Sequence, residues 1–285
     1  MKLAALLRWR PIRLAGAVRR RADDDGAGAT ADALTYQGFL ALFPLLLLAV
    51  SAAGYLLAAA DQDLWTSRLA AAVPGLDELA GDAIRGIVRH RESAGLIGLA
   101  GLAWRGAGLV EAAGRALGRI FGVPEYKSFM RRKAWTLASL ALLGTLGLVA
   151  AAASGWASSF EGPGAVAGAL LLALLLDTLL FLTAYRLLVQ RRGPAFGRLW
   201  KGALLAGAAW GALKLAGAAL GRWSAGGAAG IFGPFAAIVG LLFLLRLGAM
   251  VFLHGAELNA VLIEETARRG AAPESPAERP PTRTA

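Results

Sequence analysis

The chain has 285 residues, of which 57% are hydrophobic and 17% are charged, and its formal net charge is +11. A soluble domain has roughly 25% charged residues, so this composition excludes an ordinary water-soluble protein and indicates a membrane protein. The chain has no cysteine and two histidines. This excludes disulfides, thiol catalysis and cysteine metal sites, and we expect neither a metal nor a cofactor.

The N-terminal segment is basic and then acidic, with arginines at positions 19 to 21 and aspartates at positions 23 to 25. The apolar run from Leu3 to Leu7 is too short for the core of a signal peptide, and no small-residue cleavage site follows it. We therefore predict that residues 1–30 form a retained basic tail in the cytoplasm.

Six apolar runs follow the tail. They cover residues 33–60, 93–117, 134–160, 163–185, 202–221 and 232–262. A helix needs about 20 residues to cross a hydrocarbon core of about 30 Å, and each run reaches that length. The sequence predicts an all-α integral membrane protein, in which residues 31–264 form a bundle of six transmembrane helices.

Two segments outside the predicted spans also carry information. In the first outer loop, residues 61–92, apolar side chains recur every three or four residues from Leu76 to Val88, which predicts an amphipathic helix. Residues 265–285 contain four prolines among polar residues. We predict that they form a disordered C-terminal tail in the cytoplasm.

Basic residues alternate between the two sides of this topology. The N-terminal tail and the segments 115–133, 186–201 and 264–285 contain 7, 6, 5 and 4 Lys or Arg residues, whereas the alternate loops contain 4, 0 and 1. Loops rich in Lys and Arg stay in the cytoplasm, so both termini are predicted to be cytoplasmic. Because topology explains the positive charge, we expect no nucleic-acid partner.

Glycines four residues apart place small side chains on one face of a helix, which predicts close helix packing. The pairs are Gly164 and Gly168, Gly207 and Gly211, and Gly217 and Gly221. Pro44 lies inside the first span and lacks a backbone N–H, so a kink is predicted there.

Several segments occur in the order seen in the YihY/BrkB family, and the chain resembles that family over residues 30–262. The segments are ALTYQGFLALFPLLLLAVSAAGYLL, VPGLDEL, GLIGLAGLAW, LWKGALLAGAAWGALK and GIFGPFAAIVGLLFLLRLGAMVFLHGAELNA. The most specific parts are YQGFLALFP and the closing GAELN. The resemblance implies a six-span protein of the bacterial inner membrane, linked to envelope integrity and serum resistance, without an agreed biochemical activity.

Two features limit what the resemblance implies. Some family members carry a ribonuclease BN label, but this sequence has no cytoplasmic cluster of His and Asp that would hold catalytic metals, so we do not expect that activity. Leu245, Arg246 and Leu247 stand where the family usually has an aromatic stretch. The role of those aromatic residues therefore does not transfer to this chain.

Four charged residues lie near the centres of predicted spans: Arg105, Asp177, Lys214 and Arg246. A charge at the bilayer centre costs about 2.5 to 3.5 kcal/mol, so such groups rarely face lipid. We predict that all four point inward.

The last predicted span carries a polar stripe, because residues eleven apart on a helix lie almost on the same side. Arg246, His254 and Glu257 form this stripe, which runs about 16 Å along the helix. We predict that the stripe faces the interior and that His254 and Glu257 are candidates for a proton relay.

Two interpretations of these six residues stay open. In the structural one, Asp177 pairs with one of the three midplane cations and the polar groups hold helices together. In the functional one, the excess of cations lines a midplane cavity for an anionic small molecule or lipid. The sequence therefore predicts either transport of such a substrate or a non-transporting envelope-integrity or scaffold protein.

Other partners and activities follow from the same residues. We expect contact with membrane lipids, and an oligomer is compatible with the sequence. No enzymatic activity is expected, because Ser154, Ser158 and Ser159 lie near an outer loop without a neighbouring histidine to activate them.

Overall fold

The computed structural model describes residues 10–59, 77–123, 129–157, 162–189, 193–225 and 233–270. Within these ranges the chain forms seven α-helices and no strands. They are α1 (Arg10–Asp24), α2 (Ala27–Ala59), α3 (Asp77–Ile120), α4 (Phe129–Ala157), α5 (Pro163–Leu188), α6 (Phe196–Ala225) and α7 (Gly233–Gly270). The predicted all-α fold class is confirmed.

Five of the described helices are long and apolar enough to cross a membrane. The candidate spans are Ala27–Leu56, Val88–Ile120, Met130–Ser154, Gly164–Leu188 and Ile238–Arg269, on α2, α3, α4, α5 and α7. They overlap five of the six predicted spans. The other predicted span, residues 202–221, lies on α6, a helix of 30 residues. A sixth crossing by α6 stays a prediction.

The predicted N-terminal tail contains helix α1, which packs against the bundle. Val18 and Ala22 are buried at 8% and 2% exposure, whereas Arg13, Arg19 and Arg20 are exposed. Helix α1 is strongly amphipathic, but its many arginines keep its overall hydrophobicity low, so a search for long apolar runs does not detect it.

The amphipathic helix predicted in the first outer loop is not a separate element in the described residues. Helix α3 is continuous over 44 residues and joins residues 77–92 to the predicted second span. No proline occurs in α3, so nothing in the sequence forces the helix to end between the two segments. Residues 60–76, the first part of that loop, lie outside the described residues.

The C-terminal part of the chain extends beyond the predicted membrane domain as a helix. Helix α7 continues to Gly270, so the first six residues of the predicted C-terminal tail are helical. Residues 271–285, where most of the predicted disorder falls, lie outside the described residues.

The starts of α2, α4 and α6 and the ends of α3, α5 and α7 lie at one end of the bundle, which we call the charged end. Side-chain contacts connect these segments. Trp135 Nε1 donates to the Leu187 carbonyl oxygen at 2.9 Å, and Asn259 Nδ2 donates to the Leu199 carbonyl oxygen at 2.9 Å. The charged end contains the segments that the distribution of Lys and Arg predicts to be cytoplasmic.

The buried core is concentrated near the charged end. Its largest fully buried apolar side chains are Leu117, Tyr185, Leu199 and Leu253. Elsewhere, large apolar side chains cover the surface, and Trp104 is 80% exposed. A continuous apolar surface of this kind is unfavourable in water and compatible with lipid.

Helices α2 and α3 approach closely through glycines of the GLIGLAGLAW segment. A Cβ atom at Gly98 would lie 2.9 Å from the Leu48 backbone nitrogen, and one at Gly101 would lie 3.0 Å from Pro44 Cγ. Pro44 is buried inside α2, which continues past it. Two segments that carry the family resemblance therefore form one helix interface.

The predicted small-residue pairs do not all pack against other helices. A Cβ atom at Gly207 would lie 2.9 Å from the Thr178 backbone nitrogen, which confirms close packing of α6 on α5. Gly164 and Gly168 have no atom of the described chain within 4 Å of such a Cβ. Close packing at these two glycines is therefore not seen within the described residues, where the first turns of α5 are exposed.

Candidate functional site

The six predicted polar residues do not share one cavity in the described part of the chain. They are distributed among separate contacts on α3, α5, α6 and α7. The described residues also contain no group of three or more His, Asp or Glu side chains that would hold a metal ion.

Asp177 and Lys214 form an ion pair between α5 and α6. Lys214 Nζ lies 2.7 Å from Asp177 Oδ2 and also donates a hydrogen bond to Ser154 Oγ of α4 at 2.8 Å. Asp177 is 1% exposed. Pairing offsets part of the cost of burying both charges, and this is the contact that the structural interpretation of the polar residues predicts.

Arg246 and Arg105 do not point into the interior. Arg246 Nε lies 2.6 Å from Asp32 Oδ1 of α2, and the two side chains are 44% and 61% exposed. Arg105 is exposed and has no hydrogen bond or ion pair with the described residues. The inward orientation predicted for these two arginines is not seen in the described bundle, where both side chains lie on the surface.

The predicted stripe on α7 is divided among three different environments. His254 Nδ1 lies 2.8 Å from the Met250 carbonyl oxygen, a contact within α7. Glu257 instead faces Arg21 of α1. No contact in the described residues joins His254 to Glu257, so the geometry gives no support to a proton relay between them.

Arg21 links α1 to the ends of α7 and α3. Its Nε lies 3.2 Å from Glu257 Oε2, its Nη1 binds Glu264 Oε1, and its Nη2 donates to the Ile120 carbonyl oxygen at 3.0 Å. Burial alone would lower the pKa of Arg21. The hydrogen bond to Glu264 and the attraction of the nearby carboxylates outweigh burial and raise that pKa above its ordinary value, so the guanidinium stays charged.

A tight turn places Asp25 beside this cluster. Gly26 has φ 67°, a left-handed conformation that glycine adopts without the steric cost of a Cβ atom. The turn reverses the chain between α1 and α2, and Asp25 Oδ2 lies 4.0 Å from Arg21 Nε. The carboxylates of Asp25, Glu257 and Glu264 therefore surround one guanidinium.

The closing GAELN segment holds α7 against α6. Asn259 is fully buried, and its Oδ1 accepts a hydrogen bond from the Gly202 backbone N–H at 2.8 Å. Its Nδ2 donates to the Leu199 carbonyl oxygen. A Cβ atom at Gly255 would lie 2.8 Å from the Gly202 carbonyl oxygen, so the two backbones are in direct contact.

A cavity of about 760 Å³ opens at the charged end between α2, α3, α4 and α5. Its charged lining residues are Asp25, Glu111, Arg115, Arg119 and Arg132. Leu34, Val110 and Leu188 contribute apolar wall. None of the six predicted polar residues lines this cavity, which we call the arginine cavity.

The arginine cavity has an excess of positive charge. Glu111 Oε1 is paired with Lys133 Nζ at 3.0 Å, and Arg119 Nη2 donates to Thr30 Oγ1 at 3.0 Å. Arg115 makes no hydrogen bond or ion pair with the described residues. Three guanidinium groups thus face two carboxylates, one of which is already neutralised by a lysine.

In the sequence, the arginines of this cavity indicate only the topology of the chain. Arg115 and Arg119 are four residues apart at the end of α3, a spacing that places both side chains on one helix face. This spacing is the one feature of the sequence that could have indicated the arginine cavity. The contribution of Arg132 depends on how α4 packs against α3, which sequence spacing does not reveal.

Comparison with protein families identifies the chain. A family model described as virulence factor BrkB matches residues 18–279. The chain belongs to the BrkB virulence factor family. Comparison with curated proteins and with solved structures finds no match. In this BrkB-family protein the matched range includes every residue of the arginine cavity and of the cluster around Arg21.

Proposed function

We propose that this BrkB-family protein binds an anionic group in the arginine cavity and moves the molecule that carries it across the cytoplasmic membrane. The ligand chemistry is that of a phosphate or similar oxyanion, carried by a lipid headgroup or by a small molecule. The observation that carries the proposal is the convergence of Arg115, Arg119 and Arg132 on one partly apolar cavity.

The chemistry of the cavity wall supports an oxyanion. A guanidinium presents its N–H groups in a planar fork that matches two oxygens of a phosphate, and such charge-assisted hydrogen bonds are stronger than neutral ones. Arg115 has no competing partner in the described residues, so its charge is available to a ligand. The cavity volume of about 760 Å³ lies in the range of small-molecule sites.

The position of the cavity supports loading from the cytoplasm. The arginine cavity lies at the charged end, which the excess of Lys and Arg predicts to be on the cytoplasmic side. Leu34, Val110 and Leu188 provide apolar wall beside the arginines. An anionic amphiphile in the inner leaflet matches both parts of this wall.

Binding is the first test. Purified protein in a zwitterionic detergent should bind short-chain dihexanoyl phosphatidylglycerol or inorganic phosphate, measured by isothermal titration calorimetry. Arg115→Ala should weaken binding by about 10- to 150-fold, because one charge-assisted hydrogen bond contributes about 1.5 to 3 kcal/mol. Arg115→Ala combined with Arg119→Ala should weaken it further.

A matched control separates the site from the overall charge. Arg131 lies next to Arg132 on α4 but does not line the cavity, and Arg131→Ala removes the same charge. We expect this variant to bind like the unaltered protein. Tighter binding of the lipid than of phosphate identifies a lipid as the source of the anionic group, and the reverse identifies a small molecule. The proposal fails if neither ligand binds, or if Arg131→Ala weakens binding as much as Arg115→Ala.

A non-transporting envelope-integrity or scaffold protein is the second candidate. The observation in its favour is the Asp177–Lys214 pair, whose charges contact each other and Ser154 in place of the predicted midplane cavity. In a protein with a purely structural role, such a pair would serve only to hold the helices against one another. Under this alternative the arginine cavity holds an anionic lipid without moving it.

Reconstitution distinguishes the two candidates. Proteoliposomes containing the protein should move fluorescently labelled phosphatidylglycerol between leaflets, or carry phosphate across the bilayer, faster than empty vesicles. The Arg115→Ala and Arg119→Ala double variant should lose most of this rate, and Arg131→Ala should keep it. Binding without any movement of either molecule would replace the transport proposal with the scaffold candidate.

A further inference from the structure

We propose that Glu257 and Asp25 form a proton-binding site that adjoins the arginine cavity, so that binding of the anion is linked to uptake of a proton. The linkage rests on the proposed function, whereas the proton site itself does not. The site lies where the turn between α1 and α2 meets α3 and α7.

Glu257 is a buried carboxylate with few partners. It is 0% exposed, and neither Oε1 nor Oε2 accepts a hydrogen bond from the described residues. Arg21 Nε lies 3.2 Å from Oε2 but is itself without a hydrogen bond, so the contact is an attraction between charges with poor hydrogen-bond geometry. A bound proton or a water molecule would relieve the cost of burying these oxygens.

A small cavity gives a proton or a water molecule access to both carboxylates. Asp25, Thr30, Arg119 and Glu257 contribute its polar lining. Its volume is about 10 Å³, and a space of about 10 to 15 Å³ accommodates one water molecule. Glu257 is therefore a buried carboxylate facing a polar space of the size of one water.

The small cavity and the arginine cavity have walls in common. Asp25, Thr30 and Arg119 line both, and Arg119 Nη2 donates to Thr30 Oγ1 at 3.0 Å between them. A ligand that attracts Arg119 in the larger cavity therefore acts on a residue that also faces the carboxylates. This common wall is the physical basis of the linkage.

The charged groups that face the site have a net charge that one bound proton would neutralise. The carboxylates of Asp25, Glu257 and Glu264 face the guanidiniums of Arg21 and Arg119. Three negative and two positive groups have a net charge of −1, which one proton on a carboxylate oxygen neutralises. The proton comes from the solvent and adds to an oxygen lone pair, and no other bond is broken.

The sign of the linkage follows from electrostatics. An anion beside Arg119 takes part of the attraction that this guanidinium offers to Asp25 and Glu257, so the two carboxylates hold a proton more strongly. Because linkage is reciprocal, protonation of the pair strengthens anion binding. Anion affinity should therefore decrease as the pH rises and the site loses its proton, by up to about tenfold per pH unit.

The proton site is tested without any ligand. Infrared difference spectra of the full-length protein, recorded while the pH is varied, should show a carbonyl band of a protonated carboxyl group that titrates. Glu257→Gln should abolish this band or shift its titration, and Asp25→Asn should do the same. Asp25→Asn alters the less buried member of the pair, so it decides the question if Glu257→Gln does not fold. Asp32→Asn, at an exposed carboxylate that is paired with Arg246 and does not face this site, should leave the band and its titration unchanged.

The linkage is tested with dihexanoyl phosphatidylglycerol, whose phosphodiester keeps one negative charge near neutral pH. Calorimetry in buffers of different ionisation enthalpy should show uptake of up to about one proton per lipid bound, and about none in Glu257→Gln. Binding without proton uptake, or equal uptake in Glu257→Gln, overturns the linkage. If the unaltered protein binds no lipid and no phosphate, the proposed function and the linkage both fail. An infrared band unaffected by both Glu257→Gln and Asp25→Asn overturns the proton site itself.

Discussion

Replacement of Asp177 by leucine should lower the free energy of unfolding of the detergent-solubilised protein by about 3 to 5 kcal/mol, the cost of removing one partner of a buried ion pair. Asp177 is 1% exposed, and its Oδ2 lies 2.7 Å from Lys214 Nζ. Without that carboxylate, the hydroxyl of Ser154 is the one partner that the described residues offer to the Lys214 ammonium. Reversible unfolding in mixed detergent micelles measures the change.

A second substitution should reverse most of this loss. Removing the orphaned charge with Lys214→Met leaves two apolar side chains between α5 and α6, and hydrophobic replacement of a buried pair is often neutral or stabilising. A double-mutant cycle with Asp177→Leu and Lys214→Met isolates the interaction between the two residues. We expect the double variant to be at least about 2 kcal/mol more stable than Asp177→Leu alone.

The pair between Asp32 and Arg246 provides a matched control. Its two atoms are 2.6 Å apart, but both side chains are exposed. Removing one partner strands a buried charge only at Asp177, so Asp32→Leu should change stability less than Asp177→Leu. Equal losses in the two variants would show that burial does not decide the energy of these pairs.

The same double variant distinguishes the two interpretations of the midplane charges. If Asp177 and Lys214 serve only helix docking, the stable double variant keeps the transport rate of the unaltered protein. If they take part in moving the anion, the rate falls although stability is restored. The comparison is informative because the folded state is intact in both cases.

The sequence predicted helix positions well because hydropathy is a local property. A run of about 20 apolar residues is recognisable without knowing its neighbours, and five of the six predicted runs coincide with candidate spans. Docking of α1 could not be recognised in this way. Its anchor, Arg21, contacts Glu257 and Glu264, which are more than 200 positions away in the chain.

The sequence predicted the depth of charged residues in the bundle but not their direction. Asp177 and Arg105 are both near the centres of their spans, yet one is buried and paired and the other is exposed. The difference depends on which helices pack against each face, and on the length of the side chain. The arginine cavity was missed for the same reason, since Arg115 and Arg132 converge only when α3 and α4 are placed side by side.

The family segments have a structural explanation at the level of single residues. In GAELN, Gly255 permits the approach of α6, Glu257 faces Arg21 of α1, and Asn259 bonds the backbone of α6. Ala256 is also fully buried. Four of the five positions therefore contribute to the packing of α7 against its neighbours.

The contact between α6 and α7 predicts a large effect of a single methyl group. A Cβ atom at Gly202 would overlap the Gly255 carbonyl oxygen and the amide of Asn259. Backbone atoms cannot move aside as a side chain does, so Gly202→Ala should separate the two helices and break the hydrogen bonds of Asn259. We expect a loss of about 3 kcal/mol or more in the free energy of unfolding, at the upper end of overpacking effects.

A glycine in open space should respond with the opposite sign. A Cβ atom at Gly144, inside α4, has no atom of the described chain within 4 Å. Because alanine restricts the unfolded chain and favours the helix, Gly144→Ala should stabilise the protein by about 0.4 to 1 kcal/mol. The two variants add the same methyl group, so the opposite signs would follow from the α6–α7 contact alone. Similar small effects in both would mean that α6 and α7 are not held backbone to backbone at Gly202, and the function of GAELN as a helix lock would have to be abandoned.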